Sequence, residues 1–226
     1  MYGTLKSVQS LKTVIKLKKM QNYKNAKIIY CPPFTLLDQF YKKIKNTQIE
    51  LGAQNCHFNF EFGPFTGAVN SKMIKNVGCK YVILGHSENR SSGESDKAIN
   101  LKVKSCLKEK LKIILCIGET LKERRKNKTN HILKKQLING LKNIKNKNNI
   151  IFAYEPVWSI GTGVVPKSQD LEKQVIQIKN FIKQKFRMKD PKVLYGGSVN
   201  PKNASILKQI SSINGFLIGG ASQNVN

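Results

Sequence analysis

Short apolar runs alternate with amphipathic stretches from one end of this chain to the other, and that rhythm limits what it can fold into. Leu5, Val8, Leu11, Val14 and Ile15 follow helical spacing, and Ile28 to Cys31 then reads as a strand closed by Pro32 and Pro33. Further strands are expected at Ile49 to Ala53, Tyr81 to Leu84, Ile113 to Cys116, Ile150 to Tyr154, Val193 to Tyr195 and Gly215 to Ile218. Helical segments separate them, notably Leu121 to Ile144 and Leu171 to Phe186. Strands that alternate with helices pair in parallel, and so many units without a linker or low-complexity tail favour a closed α/β barrel over an open sheet. A single domain over 1–226 is expected.

A complete barrel of this kind has eight strands and typically about 250 residues. This chain opens on a helix and stops four residues after Gly219-Gly220-Ala221-Ser222, so a first strand and a last helix are expected to be missing from it.

The formal net charge of +27, from 40 basic and 13 acidic residues, invites a nucleic-acid reading. Its distribution argues otherwise. Lysines recur on almost every expected helix, as in Lys12, Lys16, Lys18 and Lys19 and again in Lys102, Lys104, Lys108 and Lys110, without an aromatic-interleaved stripe. Abundant Lys, Asn and Ile match the codon use of an AT-rich genome. The field should draw anionic substrates, with no specific nucleic-acid partner. No apolar stretch approaches the roughly 20 residues of a membrane helix, and the opening residues are amphipathic, unlike a signal peptide. Five cysteines without metal-type spacing read as reduced thiols, so a cytoplasmic chain with neither disulfides nor structural zinc is expected.

The chemistry concentrates after the Ile150 strand. Glu155 would emerge at its carboxyl end, where barrel side chains converge. A lone carboxylate there suits a base. Pro156 and Pro166 stiffen the ends of the next segment, while Gly161 and Gly163 allow unusual dihedrals and bring backbone N–H groups near an anion. His86 follows the Tyr81 strand and precedes an expected helix start, whose positive terminus disfavours an imidazolium. His57 and His131 have no comparable context, and Cys116 reads as a packing residue.

Gly52-Ala53-Gln54-Asn55, the run Tyr81 to Arg90, the Glu155 segment and Leu194 to Pro201 together resemble the triosephosphate isomerase family. Leu115 to Glu119 and Leu217 to Ser222 resemble that family's other strand ends, so the likeness runs through nearly the whole chain. The resemblance implies a β/α barrel that interconverts dihydroxyacetone phosphate and glyceraldehyde 3-phosphate in glycolysis and gluconeogenesis through an enediolate. It implies Glu155 as base, His86 as electrophile and Glu88 as electrostatic support. Phosphate contacts would come from Gly161, Ser198, Gly219 and Gly220, with Tyr195 and Ser198 latching a lid hinged at Pro156 and Trp158. Neither metal nor organic cofactor is implied.

Two departures from the family pattern carry expectations. Met1-Tyr2-Gly3-Thr4 is similar to the tail of the family's opening segment, whose Asn-x-Lys precedes it, so the chain as written is expected to be impaired. The alternative is a truncated, inactive barrel that only binds sugar phosphate. Phe65-Thr66-Gly67 resembles the family's intersubunit loop, which implies a homodimer, yet Ala68 and Asn89 stand where the family has an acidic residue and an arginine.

Overall fold

The computed structural model describes residues 3–19 and 25–223, and Met1 and Tyr2 of the opening segment lie outside them. The chain divides into two compact units, one over 1–84, 101–113 and 222–226, the other over 85–100 and 114–221.

In the first unit, α1 (Ser7–Lys19) is followed by β1 (Ile29–Tyr30), α2 (Leu37–Ile44), β2 (Glu50–Ala53), α3 (Ser71–Asn76) and β3 (Tyr81–Leu84). Ile29 pairs with Glu50 and Gly52 with Tyr81, all in parallel. Helix α2 buries Leu37, Phe40 and Ile44, one face of a helix. The Phe40 ring lies 5.0 Å from that of Tyr30 on β1. Gly52 is required where it stands, because a Cβ would meet the Cys31 Sγ at 2.6 Å. The five cysteines are free thiols, and Cys56 and Cys106 bring their buried sulfurs to 3.4 Å.

In the second unit come α4 (Ser87–Ser91) and then α6 (Leu121–Arg125), α7 (Thr129–Gly140), β5 (Ile150–Tyr154), α8 (Ser168–Phe186), β6 (Val193–Tyr195) and α9 (Ala204–Leu207). Helix α5 (Asp96–Lys108) and strand β4 (Lys112–Ile117) run through both units. At one end of β4 the Lys112 N–H donates to Lys80 C=O (2.9 Å), and beyond its other end Glu155 N–H donates to Ile117 C=O (2.8 Å). Strands β5 and β6 pair in parallel, Phe152 with Val193 and Tyr154 with Tyr195. Helix α8 packs through Leu171, Val175, Ile178 and Ile182 at spacings of four, three and four. Burying each such side chain is worth about 1.5–3 kcal/mol.

Three expected strands, at 81–84, 150–154 and 193–195, form with those bounds. Two other expectations need correction. The single helix expected over Leu121 to Ile144 is two, α6 and α7. Thr120 starts α6 with a capping box, its side chain accepting from Glu123 N–H while Glu123 accepts from Thr120 N–H. Asn127 then turns left-handed at φ 56° and ends it. The expected strand at Gly215 to Ile218 is reduced to a single parallel bridge between Tyr195 and Phe216. Its partner β6 is three residues long, Gly215 carries φ 148°, and Ile218 is exposed. Backbone hydrogen bonds still tie the segment to β6, from Asn214 N–H to Val193 C=O, from Tyr195 N–H to Gly215 C=O and from Leu217 N–H to Tyr195 C=O. No helix of the described residues is long and apolar enough to cross a membrane.

Candidate active site

Glu155 follows β5 directly and is almost wholly buried, with 2% of its surface exposed. Two glycines make that possible. A Cβ on Gly118 would fall 1.8 Å from the Glu155 carbonyl oxygen, and one on Gly196 would fall 2.8 Å from Glu155 Cγ. The Gln136 side chain holds Gly118 by both ends of its amide, accepting its N–H and donating to its carbonyl, each at 2.9 Å. The backbone around the carboxylate is therefore fixed from three sides.

The carboxylate has two partners. Oε2 accepts the Ser87 N–H at 3.3 Å, in the first turn of α4, and Oε1 lies 3.1 Å from His86 Nε2. His86 is the N-cap of α4, and its Nδ1 accepts the Glu88 N–H at 3.3 Å. An acceptor at Nδ1 leaves the proton of a neutral imidazole on Nε2, facing Glu155. Burial pushes the His86 pKa down, but the hydrogen bond and charge of Glu155 outweigh it, with help from Glu88, and the net shift is upward. The helix terminus that the sequence points to is thus not the stronger influence on His86; the adjacent carboxylate is. The Glu88 side chain is mostly exposed, with Oε2 3.8 Å from His86 Nδ1.

After Glu155 the chain runs through Pro156 into a short 3-10 turn, Val157–Ser159, and then the glycine-rich segment. Gly161 and Gly163 take φ 69° and 76°, and a Cβ on either would meet nothing within 4 Å, so conformation alone selects glycine there. Trp158 is anchored by its indole N–H to Glu119 Oε1 at 2.9 Å, with the Arg124 guanidinium 4.6 Å over its ring. Glu119 is fully buried, and burial raises its pKa against the pull of Trp158, Tyr154 and Arg124.

Tyr195 and Ser198, expected as latches, both contact the segment that follows Pro156. Ser198 Oγ accepts the Gly163 N–H at 3.1 Å and donates to the Ser159 carbonyl at 2.6 Å, while the Tyr195 hydroxyl lies 3.0 Å from Ser159 Oγ. Gly219 and Gly220 lie on an exposed turn that begins the 3-10 helix Gly220–Gln223. His57 packs between Phe58 and Phe65 in the first unit and Cys116 is buried in β4, both structural settings. Sequence reasoning assigned nothing to Ser159, Gln136 or Glu119. The one signal the sequence offers is a serine set among apolar residues in Val157-Trp158-Ser159-Ile160, which does not name its partners.

The family model described as triosephosphate isomerase matches residues 1–226. A triosephosphate isomerase of Alkaliphilus oremlandii is 39% identical over 222 residues, 96% of this chain and 89% of that protein. The Saccharomyces cerevisiae triosephosphate isomerase is 41% identical over 221 residues, with the same coverage of 96% and 89%. The crystal structure of triosephosphate isomerase from Bartonella henselae superposes with a TM-score of 0.89 at 36% identity, covering 100% of this chain and 91% of that one. The chain belongs to the triosephosphate isomerase family and has its β/α-barrel fold.

Proposed function

We propose that this chain interconverts dihydroxyacetone phosphate and glyceraldehyde 3-phosphate, with Glu155 as the base and His86 as the electrophile. Glu155 takes the proton alpha to the carbonyl; the C–H electron pair becomes the C=C bond, and the carbonyl pair moves onto oxygen. The His86 Nε2–H donates to that oxygen and stabilises the enediolate; the proton of the neighbouring hydroxyl then passes to that oxygen by way of His86, leaving the new carbonyl, as Glu155 returns its own proton to the carbon that was the carbonyl. The observation that carries this reading is the 3.1 Å approach of His86 Nε2 to Glu155 Oε1, which pairs a proton donor with a base. Substrate would enter between them, while Ser87 N–H offers the displaced carboxylate a partner.

The phosphate would be held by backbone N–H groups of Gly161, Gly219 and Gly220 and by Ser198, with Tyr195 and Ser198 closing the lid hinged at Pro156 and Trp158. Glu88, beside His86, would add negative potential at the rim. The positive field of the chain favours an anionic substrate. No step needs a metal or organic cofactor.

We further read the chain as one barrel domain acting as a cytoplasmic homodimer. The exposed rings of Phe58, Phe62 and Phe65 support the dimer, five free thiols suit a reducing compartment, and one family match over 1–226 supports the single domain.

A coupled assay that consumes dihydroxyacetone phosphate tests the activity. Glu155→Gln is expected to lower kcat about 10²–10⁴-fold with an unchanged circular dichroism spectrum, and retained turnover would rule out Glu155 as base. Binding of a triose phosphate analogue without turnover would favour a binding-only barrel.

A further inference from the structure

Ser159 has no exposed surface, and every hydrogen-bonding position of its hydroxyl is used. Its one proton points to the Val164 carbonyl at 2.5 Å, leaving two lone pairs. These face the Tyr195 hydroxyl at 3.0 Å and the Ser198 N–H at 3.4 Å. Since the serine proton is committed to Val164, Tyr195 is the donor in their pair. Burial raises the Tyr195 pKa, although Ser159 pulls it down, so the phenol keeps the proton that the bond needs.

The lid backbone offers Tyr195 little else. The Gly163 N–H goes to Ser198 Oγ, the Val164 N–H goes to Thr162 Oγ1 at 3.2 Å, and Pro166 has no N–H. Gly197 keeps the space open, since a Cβ there would lie 2.2 Å from the Tyr195 oxygen and 2.7 Å from Ser159 Oγ. A serine hydroxyl thus joins the lid's first turn to Val164 further along it and to the strand end that carries Tyr195 and Ser198.

We propose that Ser159 is a positioning residue of this enzyme, whose buried hydroxyl works through Tyr195 to set how long the lid stays shut over the enediolate. The inference rests on the isomerase reading above. Removing the hydroxyl takes a partner at once from the Val164 carbonyl, the Tyr195 O–H and the Ser198 N–H, the contacts that tie the lid to itself and to the end of β6.

The test is a double-mutant cycle of Ser159→Ala and Tyr195→Phe, read three ways. Trp158, the chain's only tryptophan, reports lid reopening by fluorescence after a temperature jump. Affinity for 2-phosphoglycolate, a carboxylate mimic of the enediolate, reports closure without turnover. The share of turnovers ending in inorganic phosphate reports leakage, because an uncovered enediolate expels phosphate as the C–O bond breaks and leaves an enol that becomes methylglyoxal.

Ser159→Ala is expected to speed reopening and weaken 2-phosphoglycolate about tenfold, the scale of one ordinary hydrogen bond, and to raise the phosphate share. In a Tyr195→Phe background it should add less than about twofold, because the pair acts as one unit. Merely lower stability would leave the phosphate share unmoved. If the unsubstituted chain neither turns over nor binds 2-phosphoglycolate, the isomerase reading falls and takes this inference with it. If it does both, and Ser159→Ala leaves reopening and phosphate release unchanged or acts additively with Tyr195→Phe, the inference alone falls.

Discussion

The loop after β5 and the loop after β2 treat their side chains in opposite ways. From 155 to 166 the chain turns its polar groups inward: Glu155 and Ser159 are buried, Trp158 is tied to Glu119, and the exposed part is largely glycine and valine. From 55 to 70 polar groups staple the base instead, through His57 N–H to Val69 C=O and the Asn70 side chain to Met73 N–H. Lys72 and Lys108 flank the Phe60 ring at 4.2 and 4.4 Å, while Phe58, Phe62 and Phe65 face outward. A loop that satisfies itself with buried hydrogen bonds can open and shut as a unit. A loop that leaves three aromatic rings in water has surface to bury against something else.

Substitutions at the two loops can break this contrast. The largest effect is that of Glu155→Gln on turnover, set out above. Next comes Gly118→Ala, which drives a Cβ against the Glu155 carbonyl and should destabilise the fold by about 3 kcal/mol, the upper range for overpacking. Urea denaturation measures it, and a loss below 1 kcal/mol would show that the backbone under Glu155 can yield. In the other loop, replacing Phe62 and Phe65 by serine should weaken self-association by about 2 kcal/mol or more, as for buried interface aromatics. Sedimentation velocity reads that as a shift toward monomer, and an unchanged distribution would mean that these rings are not at the interface. Gly67 offers a smaller contrast with Gly118. It carries φ 81° with nothing near a would-be Cβ, so Gly67→Ala should cost only about 1–2 kcal/mol, the strain of a left-handed alanine.

The smallest effect concerns pH. The His86 pKa is raised in the folded chain, so its proton is held more tightly there than in the unfolded one. Its contribution to stability is full below the unfolded value of about 6.5 and is lost as pH rises through the higher folded value. Thermal unfolding between pH 5.5 and 8.5 should show this decline, and Glu155→Gln should flatten it. An identical slope in both proteins would detach His86 from Glu155.

Legibility in the sequence followed the range of the forces involved. Ile150 to Tyr154 and Tyr81 to Leu84 were readable as strands because each is an apolar run closed by a polar or glycine boundary. His86 and Glu155 were readable because each sits at such a strand end inside a family motif. The break at Asn127 was not, since a lysine-rich stretch continues a helical pattern until one residue turns left-handed. Nor was the shrinkage of Gly215 to Ile218, since an apolar run does not announce that Gly215 will take φ 148° and Ile218 will face solvent. Ser159 and Gln136 escaped for a similar reason. Their partners Tyr195, Ser198 and Gly118 lie far away in the chain, and one serine or glutamine carries no periodic signal of what it will meet.

The most direct test of the account is proton exchange at the substrate carbon. Dihydroxyacetone phosphate incubated with this chain in D2O and followed by proton NMR should gain deuterium at the carbon that Glu155 deprotonates, and the Glu155→Gln protein should show none above the buffer rate. Equal incorporation by both proteins would contradict the assignment of Glu155 as the base.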